Sequence, residues 1–315
     1  MFSFLGSHRK RRNWFGIFMN KSSQPLLEQS VPLIFVVLWS TGYIGAKLGL
    51  PYAEPFTFLA MRMAITFCVL APIVLIFVKK WPSKLVLGHS VVTGAMIHAG
   101  YLGPIFFAIG NGMSAGVSAM IVALQPLTTA FVARVMIGER VTTRQTISLF
   151  AALFGVLLII SPRFTESGSG EGITLLNVSC VCFAVLAISI GSVYQKKYVT
   201  KTDLRLGAAA QYLGALVPLG IMSFFFETRE VVWSGEFIFA LFWLVFVLSI
   251  GAVTLLMILI QRGSAAQTAS LFFLVPVSTA IIAFFMFDER LTILQLMGMV
   301  IVVVAVAKAT KKTKK

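Results

Sequence analysis

Ten apolar stretches of roughly 20 residues, punctuated by basic residues, Pro and Gly, dominate the chain and leave it few folds to choose from. Unsatisfied backbone groups are costly in hydrocarbon, so a chain of this kind spans a bilayer either as helices or as a closed barrel. A barrel needs segments of about ten residues that alternate apolar and polar, and no such alternation is present. Helices are therefore expected over 31–49, 57–78, 90–110, 114–137 and 143–161, and again over 172–194, 207–226, 237–260, 265–287 and 291–308. At 1.5 Å per residue a single helix over 90–137 would run to about 70 Å, so the chain must turn near Asn111 to Met113. The connection at Gln261 to Ser264 is equally short.

A residue content that is 58% hydrophobic and 12% charged, with mean hydropathy +0.93 over 315 residues, is far too apolar for a water-soluble domain. The net charge of +15 would suggest nucleic acid in a soluble protein, but here the basic residues lie between the spans. Counted in alternate loops, Lys and Arg divide roughly 20 to 3, the minority being Arg163, Arg229 and Arg290. That bias places both termini in the cytoplasm, requires an even number of spans, and makes the cytoplasmic leaflet rather than nucleic acid the partner of the positive charge. Arg9 to Arg12 resemble the basic start of a signal peptide, but the apolar stretch Trp14 to Met19 is too short, which leaves a basic surface tail. Cys68, Cys180 and Cys182 fall inside apolar runs and read as packing residues.

Laid on itself with a shift of 150 residues and no gap, the chain aligns its fourth and fifth spans with its ninth and tenth. Ser114 pairs with Ser264, Pro126 with Pro276, Thr129 with Thr279, Glu139-Arg140 with Glu289-Arg290, Thr142 with Thr292 and Gln145 with Gln295. Hydrophobicity alone does not require these polar and proline matches at one register. Five spans per half make the second half enter the membrane from the opposite side. Inverted repeats of this kind characterise secondary transporters, in which two similar halves exchange roles as inner and outer gate.

The segment from Asn111-Gly-Met-Ser-Ala-Gly through Leu124-Gln-Pro-Leu-Thr-Thr-Ala to Ile137-Gly-Glu-Arg-Val-Thr, closing on Gly155-Val-Leu-Leu, resembles the second part of an EamA domain. That domain is the repeated unit of the drug/metabolite transporter superfamily. Trp39-Ser-Thr-Gly-Tyr with Lys47, and Arg62 in Phe58-Leu-Ala-Met-Arg, are similar to the family's first two helices. The second copy departs from the pattern: its first helix lacks the usual Trp, and Phe287-Asp288 replaces the Gly before Glu-Arg. The resemblance implies an all-α integral membrane fold of ten helices in two inverted five-helix repeats. These occupy 31–161 and 172–308, with an external linker over 162–171 and basic cytoplasmic tails over 1–30 and 309–315. It also implies a transporter, an exporter of amino acids, metabolites, drugs or other small solutes, in a bacterial cytoplasmic membrane. The cargo is left open.

Several polar residues inside the spans are candidates for the work. Pro126 and Pro276 each remove a helical amide and free the carbonyl four residues earlier, of Val122 and Phe272, for a hinge or for packing alone. Gln125 stands at mid-depth, facing a cavity or bonding to a neighbouring helix. Lys47 and Arg62 would attract an anionic group such as a carboxylate, unless Lys47 merely snorkels to the headgroups. His98 is a candidate for proton coupling, with Tyr101 three residues on, or else a hydrogen-bonding partner between helices. Trp39 and Tyr43, with Ser40 and Thr41, form a patch able to stack on and bond a small amphipathic solute. Glu139-Arg140 and Glu289-Arg290 are expected to cap and pair within their own hairpins.

No HExxH, no GxSxG and no Asp/His/Cys cluster is present, so neither an enzyme, a metal site nor a cofactor is expected. The partners expected are a small-molecule substrate and the lipid bilayer, without nucleic acid, and a homodimer is left open. The competing readings are a membrane sensor or scaffold, for which the loops are too short to hold a soluble domain, and a channel-like facilitator.

Overall fold

The computed structural model describes residues 24–113, 115–166, 173–199, 202–287 and 292–310. Among these, all regular structure is helical apart from one isolated antiparallel bridge, Ala53 to Val231. The basic tail up to residue 23, most of the linker at 167–172, Glu289-Arg290 and residues 311–315 lie outside the described residues.

The first expected span is two helices, α1 (Gln24–Ser40) and α2 (Gly42–Gly49). At the break between them the Ser40 hydroxyl donates to the Val36 carbonyl and the Thr41 hydroxyl to that of Leu38. α3 (Pro55–Phe77) begins on a proline, where a missing amide costs nothing. α4 (Lys84–Gly94) starts earlier than hydropathy suggests, because Ser83 caps it by accepting the Val86 N–H. It continues through a π-helical turn, Ala95–Ala99, into α5 (Gly100–Gly110).

The fourth expected span is also broken, into α6 (Ala115–Val122) and α7 (Gln125–Ile137), and α8 (Thr143–Glu166) follows. The second half comprises α9 (Leu175–Tyr198), α10 (Leu204–Phe226) and α11 (Gly235–Trp243). A π-helical stretch, Leu244–Ala252, then runs into α12 (Val253–Arg262). α13 (Ala265–Ser270) passes through a 3-10 turn, Leu271–Phe273, into α14 (Leu274–Phe287), and α15 (Ile293–Thr310) closes the fold.

Eight of these helices or fused helices are long and apolar enough to cross a bilayer. Their surfaces invert the pattern of soluble proteins. Leu175, Phe285 and Ile293 are more than three-quarters exposed, while Arg62, His98, Gln125 and Gln211 are buried. This is an integral membrane protein.

The repeat extends well beyond the segments where side chains match. Shifting α3 by 150 residues gives 205–227 against the observed α10, and shifting 24–49 gives 174–199 against the observed α9. The first π turn maps to 245–249, inside the second. Equivalent helices pack against each other in opposite directions. Gln145 near the start of α8 donates to the Ala309 carbonyl near the end of α15, and Gln295 near the start of α15 donates to the Ile159 carbonyl near the end of α8. Each glutamine also accepts the N–H of its helix-starting threonine, Thr142 or Thr292, at 2.9 Å.

Glu139, Lys196 and Gly263 meet on one face, and Glu54, Thr228 and Arg229 on the other.

Candidate functional site

Arg62, on α3, is buried, and its Nε donates to the Ser249 hydroxyl at 2.9 Å. Tyr212, on α10, is fully buried and its hydroxyl donates to the Ser249 carbonyl at 2.6 Å. The His98 ring stacks on that of Tyr212 with centroids 4.8 Å apart and planes 18° from parallel. Gln211 lies beside His98, yet neither His98 Nε2 nor Gln211 Nε2 completes a hydrogen bond of acceptable geometry. Among the described residues no carboxylate stands within ion-pair distance of Arg62. A cation and four polar neighbours are thus gathered between the halves, Arg62 and His98 from the first, Gln211, Tyr212 and Ser249 from the second.

Both π-helical segments serve this cluster. A π turn admits one extra residue and rotates the side chains that follow, and such turns concentrate at functional sites. The first carries His98 and the second Ser249. Arg62 and Tyr212 are themselves repeat equivalents, 150 residues apart. α4 and α10 meet backbone to backbone to hold the arrangement: a Cβ on Gly94 would lie 1.9 Å from the Gln211 carbonyl oxygen, and one on Gly214 2.1 Å from that of Val91. No larger residue fits at either glycine without parting the helices.

A second polar region lies at the helix breaks. Pro126 is the second residue of α7 and Pro276 the third of α14. In each half the regular helix fails just before the proline, at Ala123-Leu124 and at Leu271–Phe273, because the proline supplies no amide to the preceding turn. Both prolines therefore start a second helix rather than sit within one. The carbonyls of Gln125 and Val275, each preceding its proline, accept a serine hydroxyl at 3.4 Å, from Ser189 and Ser40. Thr129 donates to Ser189 at 3.0 Å, while the buried Oε1 of Gln125 and Oγ1 of Thr279 have no partner among the described residues.

The sequence candidates thus separate. Arg62 and His98 come together, and Gln125 belongs to the second region. Trp39 packs with Phe35 and Phe272, centroids 5.3 and 5.1 Å away, at the border of the two main apolar clusters. Tyr101 is buried in the larger cluster, and it is Tyr212 that stacks on His98. Tyr43 and Lys47 lie on α2, with side chains outside the described part of the structure. Sequence reasoning missed Gln211, Tyr212 and Ser249. Adding 150 to Arg62 points to Tyr212, but nothing in the sequence marks a π turn.

Carboxylates tie the halves together at both faces. Glu139 accepts the N–H groups of Ala265 and Ala266, the first of α13, at 3.1 and 3.2 Å and pairs with Lys196 at 3.5 Å. It caps a helix of the other half, not its own hairpin. On the opposite face Glu227 accepts the N–H groups of Phe56 and Thr57 at 2.7 and 2.6 Å, and Glu54 accepts those of Thr228 and Arg229 at 2.7 and 3.0 Å. The Glu54 contact holds Arg229 at φ 64°, a left-handed conformation unfavourable for a side chain of that size.

Residues 30–161 and 175–310 both match the EamA-like transporter family. The chain is 27% identical over 282 residues to a protein of Escherichia coli (strain K12) named "Probable amino-acid metabolite efflux pump", covering 86% of this chain and 90% of the relative. It is 26% identical over 288 residues to "Uncharacterized transporter YvbV" of Bacillus subtilis (strain 168), covering 89% and 90%. A crystal structure 18% identical in sequence superposes with a TM-score of 0.74 over 92% of this chain and 97% of that one, a likeness of fold.

Proposed function

The chain belongs to the EamA-like transporter family, and we propose that it is a secondary transporter exporting small organic solutes, such as amino acids, metabolites or drugs, by alternating access. In this reading the broken pairs α1–α2 and α6–α7 complete the eight long spans to ten, in two inverted halves. Both termini are cytoplasmic by the charge count, and the membrane is the bacterial inner membrane. The names of relatives from Escherichia coli and Salmonella support efflux of amino-acid metabolites.

One observation carries the mechanism. The equivalent helices α3 and α10 pack antiparallel, the Thr57 end of one against the Ser223 end of the other, beside a buried polar cluster to which both halves contribute, the arrangement in which rocking one half against the other exposes a central site to each side in turn. Interhelical contacts at both faces then serve as the inner and outer gates, and Pro126 and Pro276 as hinges. Purified protein in proteoliposomes is expected to show saturable uptake of a labelled solute with counterflow when unlabelled solute is placed inside. Conductance at channel rates, or binding without any flux, would overturn this reading.

A further inference from the structure

Resting on the transporter reading, we infer that the solute is recognised through a carboxylate, which docks on Arg62 between the two halves with the amide nitrogen of Gln211 as a second donor. The cluster is one of donors facing a missing acceptor. The Arg62 guanidinium has five N–H donors in a fixed fork. The structure accounts for one acceptor, the Ser249 hydroxyl on Nε. Gln211 Nε2 and His98 Nε2 lie buried beside each other, and among the described residues neither completes a hydrogen bond of acceptable geometry. A guanidinium buried in the membrane region normally finds an acid, so Arg62, with one hydroxyl acceptor and no carboxylate within ion-pair distance among the described residues, marks the position of a group that is supplied from outside the chain.

Charge selects that group. A guanidinium inside a membrane protein normally pairs with an acid or a backbone carbonyl, and among the described residues Glu54, Glu139, Asp203 and Glu227 are engaged at the two faces instead. A single anion would neutralise Arg62. A carboxylate fits its planar fork in a bidentate way, whereas a doubly charged phosphate would leave one negative charge unbalanced among the described residues. A cationic amine would be repelled by Arg62 and finds no acid beside it among the described residues. His98, stacked on Tyr212, offers a remaining polar edge for the part of the solute next to the carboxylate.

The site is also placed to report occupancy to both halves. Ser249 accepts Arg62 through its hydroxyl and Tyr212 through its carbonyl, so a shift of the guanidinium toward a ligand acts directly on the second π segment.

The test uses full-length protein in detergent and in proteoliposomes with paired probes: a set of small aromatic and aliphatic monocarboxylic acids, free amino acids among them, each alongside its primary amide. Melting temperature reads binding, and counterflow reads transport. Several acids are expected to raise the melting temperature while their amides do not. Arg62→Gln should weaken acid binding by about 10- to 100-fold, the usual worth of charge-assisted hydrogen bonds, with Arg62→Lys intermediate. Gln211→Leu, which keeps Arg62 in place, should weaken it less.

The proposal fails if amides or cationic amines bind as well as the acids. It fails also if no acid binds, or if folded Arg62→Gln protein binds acids unchanged. Counterflow of a solute without a carboxylate would sink this inference and leave the transporter reading standing; loss of all counterflow with retained acid binding would do the reverse.

Discussion

Gly155 of α8 and Gly298 of α15 lie backbone against backbone: a Cβ added to Gly155 would stand 2.8 Å from the Gly298 carbonyl oxygen, and one added to Gly298 would stand 2.6 Å from that of Gly155. The two helices are repeat equivalents running in opposite directions, so the same close approach is made from both sides.

Gly298→Ala should therefore force α8 and α15 apart and lower stability by about 1–3 kcal/mol, the usual cost of overpacking. Gly88→Ala is the control, because a Cβ there meets nothing within 4 Å and gains the helix propensity of alanine. Melting in detergent should move down for the first and slightly up for the second. Equal shifts would show that the contact is not tight.

Glu139 holds α13 by its first two amides and also pairs with Lys196. Glu139→Gln keeps the size and removes the charge, and a loss of about 1 kcal/mol is expected from the weakened helix cap. A double-mutant cycle with Lys196→Met should give a coupling above zero. Additive effects would mean that Lys196 and Glu139 act separately.

The face that carries Glu54 and Glu227 can be locked covalently. Ala53 and Val231 form an antiparallel bridge, and directly opposed residues stand about 4.5–5.5 Å apart at Cα, within disulfide reach. With Cys68, Cys180 and Cys182 replaced by Ser, the Ala53→Cys/Val231→Cys protein should oxidise readily and lose counterflow, regaining it on reduction. Undiminished transport by the oxidised form would show that this contact does not open during the cycle.

Asp203 caps α10 by accepting the Arg205 N–H at 3.0 Å, and the Arg205 guanidinium beside it holds its carboxyl below the ordinary value of 3.8. A carboxylate depressed in the folded state adds stability that is present above its unfolded value and is lost as pH falls through its folded one. Asp203→Asn should therefore be less stable than the parent near pH 7, by a fraction of the roughly 1 kcal/mol of a helix cap because the pair is largely solvated, and the gap should close at acid pH, below the lowered folded value of the carboxyl. Denaturant melts at the two pH values measure it, and a gap independent of pH would remove the charge from the account.

Much of the architecture is local in origin and so was legible in order along the chain. Apolar run length marks a span wherever it sits, and the Thr142/Gln145 and Thr292/Gln295 pairs announce matching helix starts because a capping box needs only four consecutive residues. Helix breaks were legible in part. Pro126 and Pro276 mark them, but hydropathy could not see the break at Thr41 that divides the first span.

Composition, run length, charge bias and the 150-residue register by themselves determined that this chain is a membrane-embedded helical repeat, because each is a property of neighbouring residues or of a fixed offset. Only the tertiary structure decided which polar residues meet. Whether Arg62 faces lipid, a carboxylate or Ser249 depends on two π turns and on helices brought within backbone contact at Gly94 and Gly214. The partner of Glu139 was likewise a matter of distance in space: an acid next to a hairpin can cap any helix start within reach, and the one within reach belongs to the other half.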